Sequence, residues 1–565
     1  MPAFTGRRRR PYGDPDRGRL RTMDTFDYVI IGAGSAGCVL ANRLSADGRH
    51  SVCVLEAGPS DWHPYIHIPA GFMKLMDDRT FNWRYQTEPT DWTGGRAIPV
   101  PRGKTLGGSS SINGNIYTRG CQADYNSWAQ LGNSGWGFAD VLPYFKRAEN
   151  RIGEADETYR GRNGPLAVTD TDWTHKLCDA FIAGAESLGI PKNPDYNGAD
   201  QEGVTYTQRT IHIRRRVSAA TAYLNPAKSR ANLTVITKAF ATGLVLDGKQ
   251  VTGVRYLKGG RGGSEREITA RREVILAGGV INSPQLLQVS GIGSPAHLSE
   301  LGISVVHALD AVGDNLRDHF APRFTARVRN SDTINRRAQG LGLVSEVAKW
   351  LIGKPSVLSI CSTLVYAFWR SDPAVANSDL QLTFTPASYV SGRQAVLDKF
   401  PGMSVASWQQ RPESSGYVRA VSADPFEKPV IQPNYLDHET DRRVVLAGMK
   451  LARRILRSAP MAPYFDGEDF PGEDVRTDDE LMAAAKERGT TTFHPMGTCR
   501  MGPAVDRTTV VDDQLCIHGL DRIRVVDASV MSNMPSANLN AAVMMIAEKA
   551  SDMILGREPL EAVVV

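Results

Sequence analysis

Apolar residues along this chain fall into short runs of strand length, separated by glycine-rich turns and by a few stretches with helical spacing. The first run, Tyr28-Val-Ile-Ile31, passes directly into Gly32-Ala-Gly34-Ser35-Ala36-Gly37, and a second β-rich run, Ser51 to Glu56, follows. Strand, tight turn, helix and strand are therefore expected over residues 24–60. The periodicity then stops. Trp62 to Trp92 is rich in Trp, Pro and Asp, and the region 62–100 reads as a loop or lid. Strands return at Leu233 to Ile236, Ala241 to Leu246, Val251 to Leu257 and Glu273 to Gly279, and Ser283-Pro284 then places a proline near a helix start. Further strands are expected near 379–386 and 416–422, with a helix from Asp437 to Arg457. The chain closes with a strand over Ile523 to Asp527 and an amphipathic helix from Ala541 to Ile554, with Glu548 and Lys549 turned outward. No internal repeat is present.

This order implies a mixed α/β chain whose C-terminus rejoins its first domain. Residues 23–155, 205–320 and 485–560 are expected to form a discontinuous nucleotide-binding domain, and 156–204 with 321–484 a substrate domain. At 565 residues and 41% apolar composition the chain can bury a large core and splits into two or more domains. No run of eighteen apolar residues exists, so no spanning helix is expected; Leu341 to Ile352 is among the more hydrophobic stretches, but it is short and interrupted by charge.

The seven cysteines are scattered, with no CxxC pair, which argues against a disulfide framework and against a zinc or other metal site. Cys38 and Cys53 read as core residues, and a reducing, cytoplasmic compartment is the expectation. The formal charge of +5 resides in residues 1–22, where seven arginines face Asp14 and Asp16, so the remaining 59 basic and 59 acidic residues balance. A neutral body removes the argument for nucleic-acid binding. The arm lacks the apolar core of a secretory signal, and its Pro, Gly and Arg content predicts disorder. Such an arm attracts anionic lipid by about 1 kcal/mol per charge, which makes peripheral contact with the inner face of a membrane one expectation. Met23 directly precedes the first strand, so an upstream extension is the other.

The chemistry begins at the first turn. Gly32 permits the tight backbone, Gly34 lets a pyrophosphate approach and Gly37 lets the helix pack on the strand, with the helix N-terminus facing the phosphates. Glu56, nineteen residues after Gly37, can accept hydrogen bonds from both hydroxyls of an adenosine ribose. A free 2′-hydroxyl favours FAD or NAD over NADP. A second Gly/Ser-rich loop, Pro101-Arg102-Gly-Lys-Thr-Leu-Gly107-Gly108-Ser109-Ser-Ser-Ile-Asn113-Gly114, is too polar for core and too short for a linker, which suggests backbone packed against a ligand.

Four separated segments resemble one family, the glucose-methanol-choline (GMC) flavoprotein oxidoreductases: Gly32 to Gly37 with Glu56, Arg102 to Asn113, Gly278-Gly-Val-Ile-Asn-Ser-Pro-Gln-Leu-Leu287, and His494-Pro-Met-Gly-Thr with Asn538-Leu-Asn540-Ala541-Ala. Gly313-Asp-Asn-Leu-Arg-Asp-His319 is a further family-like stretch, and the likeness covers nearly everything after Met23. It implies a Rossmann-type FAD-binding domain, a substrate domain built on an antiparallel sheet covered by helices, and oxidation of an alcohol with hydride transfer to flavin. His494 is implied as the base and Asn538 as the amide that positions the alcohol, although Asn538 also stands where a helix cap would. Cofactor contacts are implied for Ser35, Ala36, Ala57, Arg102, Gly107, Gly108, Ser109, Asn113, Gly114, Ala241, Ala277, Asp527, Ala528, Asn540 and Ala541, in addition to the fingerprint residues. Some members attach FAD through a histidine that is Ile112 here, so non-covalent FAD is expected. The stretch Thr363 to Phe368 places Leu364 where choline-oxidising relatives carry an acid, which favours a neutral aliphatic or aromatic alcohol; Tyr366, Phe368, Trp369 and Tyr389 are read either as holding it or as core residues. Choline oxidation and a redox-idle lyase on the same fold are the alternatives. The electron acceptor is oxygen, or a quinone or dye.

Overall fold

A computed structural model describes residues 24–390 and 396–565; the basic arm, residues 1–22, lies outside the described residues. Its first sheet is organised by the long strand Ser264–Leu276. Strand Asp24–Ile31 runs parallel to it and also parallel to Val52–Glu56, which in turn pairs in parallel with Leu233–Thr237. On its other side the long strand changes partner midway. Residues 264–269 pair antiparallel with Gln250–Lys258, and 274–276 pair in parallel with Ile523–Val525. Val29, Ile30, Val52, Cys53, Val54, Val274 and Ile275 are fully buried, as expected for strands covered on both faces. Helix Ser35–Leu44 packs on the last helix, Leu539–Ile554, so the two ends of the described chain share one layer.

The second sheet is wholly antiparallel. Its strands lie in the order Phe465–Phe470, Arg323–Val328, Gly402–Gln409, Leu380–Thr385, Val365–Trp369 and Gly203–Tyr206. Helices Glu439–Leu456 and Lys176–Glu186 cover one face. Along Gly402–Gln409, Ser407 faces that cover, touching the Gly448 position, so alternation sends Trp408 to the opposite face, where its ring lies 6.4 Å from His494.

Two expectations are corrected. Glu548 and Lys549 are buried, because the last helix is enclosed on all sides: Glu548 takes paired hydrogen bonds from Arg43 at 2.8 and 2.9 Å and one each from Arg147 and Tyr223 at 2.8 Å. Lys549 lies against the rings of Trp136 and Tyr144. Pro284 is not near the start of its helix, which already begins at Gly279. The carbonyl of Val280, which a proline four residues later leaves unbonded, accepts the Thr498 hydroxyl at 2.6 Å.

All seven cysteines are free, with Cys38 and Cys53 in the core. Among the described residues no helix is long and apolar enough to cross a membrane. The stretch around Leu341 forms helix Gly340–Leu351, with most of its apolar side chains exposed.

Candidate active site

The first glycine turn is shaped by its own backbone. Gly32 has φ +100°, and a Cβ there would lie 2.5 Å from the Ala277 carbonyl oxygen; one on Gly37 would lie 1.9 Å from the Gly32 carbonyl oxygen. Gly34 differs. Its Cβ would meet no protein atom closer than 3.9 Å, and the residue borders a cavity of about 330 Å³. The space beside Gly34 is therefore left for a ligand. Glu56 is held by two backbone donors, Ala33 N–H at 2.9 Å and Gly58 N–H at 2.8 Å, while burial pushes its carboxyl up to about 7 against those bonds.

The second glycine loop lies on the first. Gly107 N–H donates to the Ala33 carbonyl at 2.7 Å, and a Cβ on Gly108 would sit 2.7 Å from Gly34 Cα. Arg102 reaches across the cavity wall to donate to the Phe493 carbonyl at 2.8 Å, beside His494, and burial lowers its guanidinium to about 10. Asn113 is anchored through its side-chain oxygen by Arg216 at 2.6 Å. Ser35 Oγ donates to Asn540 Oδ1 at 2.7 Å, joining the starts of the first and last helices. Asp527 accepts Gly279 N–H at 2.8 Å and the Ser283 hydroxyl at 2.6 Å. Gly32, Gly34, Ser35, Ala36, Glu56, Ala57, Arg102, Gly108, Ser109, Asn113, Gly114, Ala241, Ala277, Asp527, Ala528 and Asn540 all border this cavity, together with His494 and Asn538. Gly37, Gly107 and Ala541 stand behind the lining.

The proton positions around His494 follow from a chain of acceptors. His319 is fully buried, its pKa is lowered to about 4 by burial, and its Nε2 lies 2.7 Å from the Gln410 carbonyl. A carbonyl only accepts, so Nε2 carries the proton and Nδ1 of this neutral ring is a bare acceptor. That Nδ1 lies 2.9 Å from His494 Nδ1, which must therefore be the protonated nitrogen of His494. Burial first, then the fields of His319 and Arg102, hold the His494 pKa well below its usual value. Its unprotonated Nε2 accepts a hydrogen bond from Asn538 Nδ2 at 2.9 Å. The amide orientation agrees: Asn538 Oδ1 accepts from Thr118 Oγ at 3.1 Å and from the Tyr366 hydroxyl at 3.0 Å. Asn538 occupies the N-cap position of the last helix, but its side chain makes no cap bond and serves His494.

One buried carboxylate holds the two histidines in register. Asp318 Oδ1 accepts His319 N–H at 2.9 Å and His494 N–H at 2.8 Å, and Tyr435 donates to its other oxygen at 2.6 Å. Asp318 and His319 lie in the Gly313 to His319 stretch, yet no local pattern assigns them a place beside His494. Sequence reasoning also missed Phe72, Met76, Ile116, Ser362, Thr492 and Phe493, all of which border the cavity. Conversely, Phe368, Trp369 and Tyr389 do not border it, and Tyr366 reaches the site only through its hydroxyl. Leu364 lies in the core behind the sheet. Strand alternation and the packing of Tyr196 on Tyr366 and Phe368 explain why those two are core residues, while Trp369 and Tyr389 are half-buried against the core of the second sheet. Among the described residues, the carboxylates in the lining are Glu56 and Asp527 alone. No metal-binding cluster occurs among the described residues.

Residues 26–321 and 412–547 match the N-terminal and C-terminal profiles described as GMC oxidoreductase. The chain is 42% identical over 534 residues to an oxygen-dependent choline dehydrogenase of Brucella ovis, covering 94% of this chain and 96% of that protein. It is 40% identical to one of Staphylococcus xylosus, covering 95% and 96%. Among solved structures it is similar to pyridoxine 4-oxidase from Mesorbium loti, with a TM-score of 0.85 and 31% identity over 94% of this chain and 99% of that one. Formate oxidase superposes with a TM-score of 0.87 and 26% identity over 94% and 98%.

Proposed function

Because this chain belongs to the GMC oxidoreductase family, and is with it an FAD-dependent oxidoreductase acting on CH–OH groups, we propose that His494 Nε2 is the base that removes the hydroxyl proton of a choline-type alcohol. The observation that carries the catalytic part of this reading is the unprotonated Nε2 of His494 at the cavity, which accepts the Asn538 amide at 2.9 Å.

The residues present suit FAD. Glu56 offers oriented acceptors for a ribose, the Gly34 side of the turn is open, and the helix beginning at Ser35 presents unpaired N–H groups where a pyrophosphate would lie. Ala241, Ala277, Asn113, Asp527, Ala528 and Asn540 would enclose the remainder of the cofactor, and the start of the last helix would place its positive dipole end beside it. When bound, the flavin supplies the acceptor for the hydride. The chain supplies the rest. A substrate hydroxyl that displaces the direct Asn538–His494 hydrogen bond would donate to Nε2 and accept from the amide, which orients the oxygen and the carbon it is attached to. As the proton arrives on Nε2, His494 becomes an imidazolium, and its Nδ1–H bond to His319 becomes charge-assisted. Phe72, Met76, Ile112 and Ile116 contribute apolar side chains to the cavity lining. Ile112, in the place of a linking histidine, supports dissociable FAD, to be tested by flavin release on acid precipitation.

Support for a choline-type substrate comes from what the relatives at 40% and 42% identity are named for. A second reading, a neutral aliphatic or aromatic alcohol, is favoured by one observation: the lining holds no carboxylate besides Glu56 and Asp527, hence no acid to pair with a quaternary ammonium beside His494. The deciding experiment is anaerobic titration of the holoenzyme with choline and with primary aliphatic and benzylic alcohols, followed by loss of the flavin visible band. Bleaching by choline supports the first reading, and bleaching by neutral alcohols alone overturns it in favour of the second. A flavin that no alcohol bleaches removes the oxidation. Peroxide release against dye reduction then identifies the acceptor.

A further inference from the structure

Helix Gly340–Leu351 is built inside out. Its one acidic residue, Glu346, is turned inward and almost fully buried, accepting Val357 N–H at 3.0 Å and pairing with Lys349 at 2.6 Å. Its apolar stripe faces away from the protein: Leu341 is 89% exposed, Val344 65% and Leu351 66%, and Ile352 just beyond the helix is 69% exposed. These positions recur at helical spacing and form one continuous face.

Two neighbouring segments extend the surface. Trp350 Nε1 donates to the Arg214 carbonyl at 3.3 Å and the Arg214 guanidinium donates back to the Trp350 carbonyl, so the Ile211–Arg216 hairpin abuts the end of the helix. Its tip residue Ile213 is 70% exposed. Arg216 at the base of that hairpin donates to the Ile66 carbonyl at 2.8 Å, linking it to helix Pro64–His67, where Trp62 and Tyr65 are exposed. Residues 62–76 and 211–216 carry no acid at all, and 340–355 carry only the buried Glu346. Among the described residues Arg214, Arg215 and Lys354 have no carboxylate partner.

We infer that this surface docks on an anionic phospholipid bilayer, with the apolar helix face and the Ile213 tip entering the headgroup boundary and the unpaired cations meeting lipid phosphates. Exposed aliphatic side chains flanked by Trp, Tyr and unpaired Arg and Lys, with no outward carboxylate, are the chemistry of a membrane-surface helix. Charge complementarity selects this occupant over a second copy of the chain. A two-fold contact through this face would bring the same unpaired cations together with no acid to answer them. Phe72 and Met76, on the segment that follows Pro64–His67, line the cavity, so docking places one cavity wall beside the bilayer.

The test uses the full-length, FAD-loaded protein and co-sedimentation with vesicles of phosphatidylcholine, with and without phosphatidylglycerol. Binding is expected to the phosphatidylglycerol vesicles, to weaken with added salt, and to fall by roughly tenfold or more in a Val344→Glu/Leu351→Glu double variant, in which charge replaces the apolar face. Flavin content and melting temperature of that variant should be unchanged, because both positions are exposed. An Arg215→Glu/Lys354→Glu variant should also bind less. The inference is overturned if the protein ignores anionic vesicles or if either double variant binds them as well as the parent, which would assign the contact to another part of the chain. It is equally overturned if, without lipid, Val344→Glu/Leu351→Glu lowers the oligomeric mass measured by light scattering. None of these readouts depends on which alcohol is oxidised.

Discussion

Replacing His319 tests the proton arrangement at the heart of the site. In His319→Ala the acceptor 2.9 Å from His494 Nδ1 is removed, and Thr492 Oγ, 2.8 Å from the same nitrogen, remains as the neighbour. A hydroxyl can donate or accept, so it no longer dictates which nitrogen of His494 carries the proton. The lost interaction is modest in the resting enzyme, about 1 kcal/mol, and rises to roughly 1.5–3 kcal/mol once His494 is charged. Only the rise between the two states, roughly 0.5–2 kcal/mol, is felt by kcat, which should fall by about 2- to 30-fold while KM changes little. The assay is the rate of anaerobic flavin bleaching in rapid mixing with saturating alcohol, with flavin content measured first. His319→Asn, whose side-chain oxygen can still accept, should recover part of the loss. Wild-type bleaching rates in His319→Ala, or a loss confined to KM, would refute the assignment. Stability gives a second readout. In the unfolded chain a histidine takes up its proton near pH 6.5, whereas folded His319 does so near 4. The unfolded state therefore binds more protons between these values, so stability rises with pH across the window and is lost as pH falls through it, by roughly 3 kcal/mol for this residue. The melting temperature of His319→Asn should decline less steeply over that range than the parent's.

His494→Ala should cut turnover by at least about a hundredfold with FAD still bound, the usual scale for losing a general base; turnover near wild type with intact flavin would remove its role. Glu56→Ala should lower the flavin recovered per protein on purification without changing the fold by circular dichroism, and unchanged occupancy would count against a ribose contact. Glu548→Ala leaves Arg43 and Arg147 without their shared partner. Because both arginines are about a quarter exposed, the cost should lie near the low end for a broken buried pair, about 3 kcal/mol in denaturant unfolding. A change below 1 kcal/mol would show that water replaces the carboxylate.

How far the chain could be read depends on the range of the force at work. The turn at Gly32 to Gly37 was readable because its constraints are local: the glycine contacts are with the turn itself and with one neighbouring strand end. The strands at 233–237, 239–247 and 250–258 were readable from runs of apolar residues to within a few positions, but the central strand begins at Ser264, nine residues before the expected Glu273, and Arg323–Val328, Gly402–Gln409 and Phe465–Phe470 of the second sheet were not read at all. Glu548 was not, since the cations that allow it to be buried sit at 43 and 147, and a helical stripe says only that two faces differ, not what covers them. The same ambiguity hid the direction of the Leu341 face. His494 and Asn538 could be named only through the family likeness, because a lone His-Pro pair carries no chemistry of its own. The part played by His319 had no signal in any local pattern, for it rests on two ring nitrogens meeting across 175 positions of chain.

The seam at Ser35 and Asn540 sets an order of events during synthesis. When strand Ser264–Leu276 has left the ribosome, its edge that receives Ile523–Val525 is still bare, and the hydroxyl of Ser35 has no Asn540 to meet. The nascent chain therefore carries a nucleotide turn with one wall missing until residues 523–540 have been added. Flavin loading is in this sense a receipt for helix Leu539–Ile554: a chain cut short before it has no closed chamber in which to keep the cofactor.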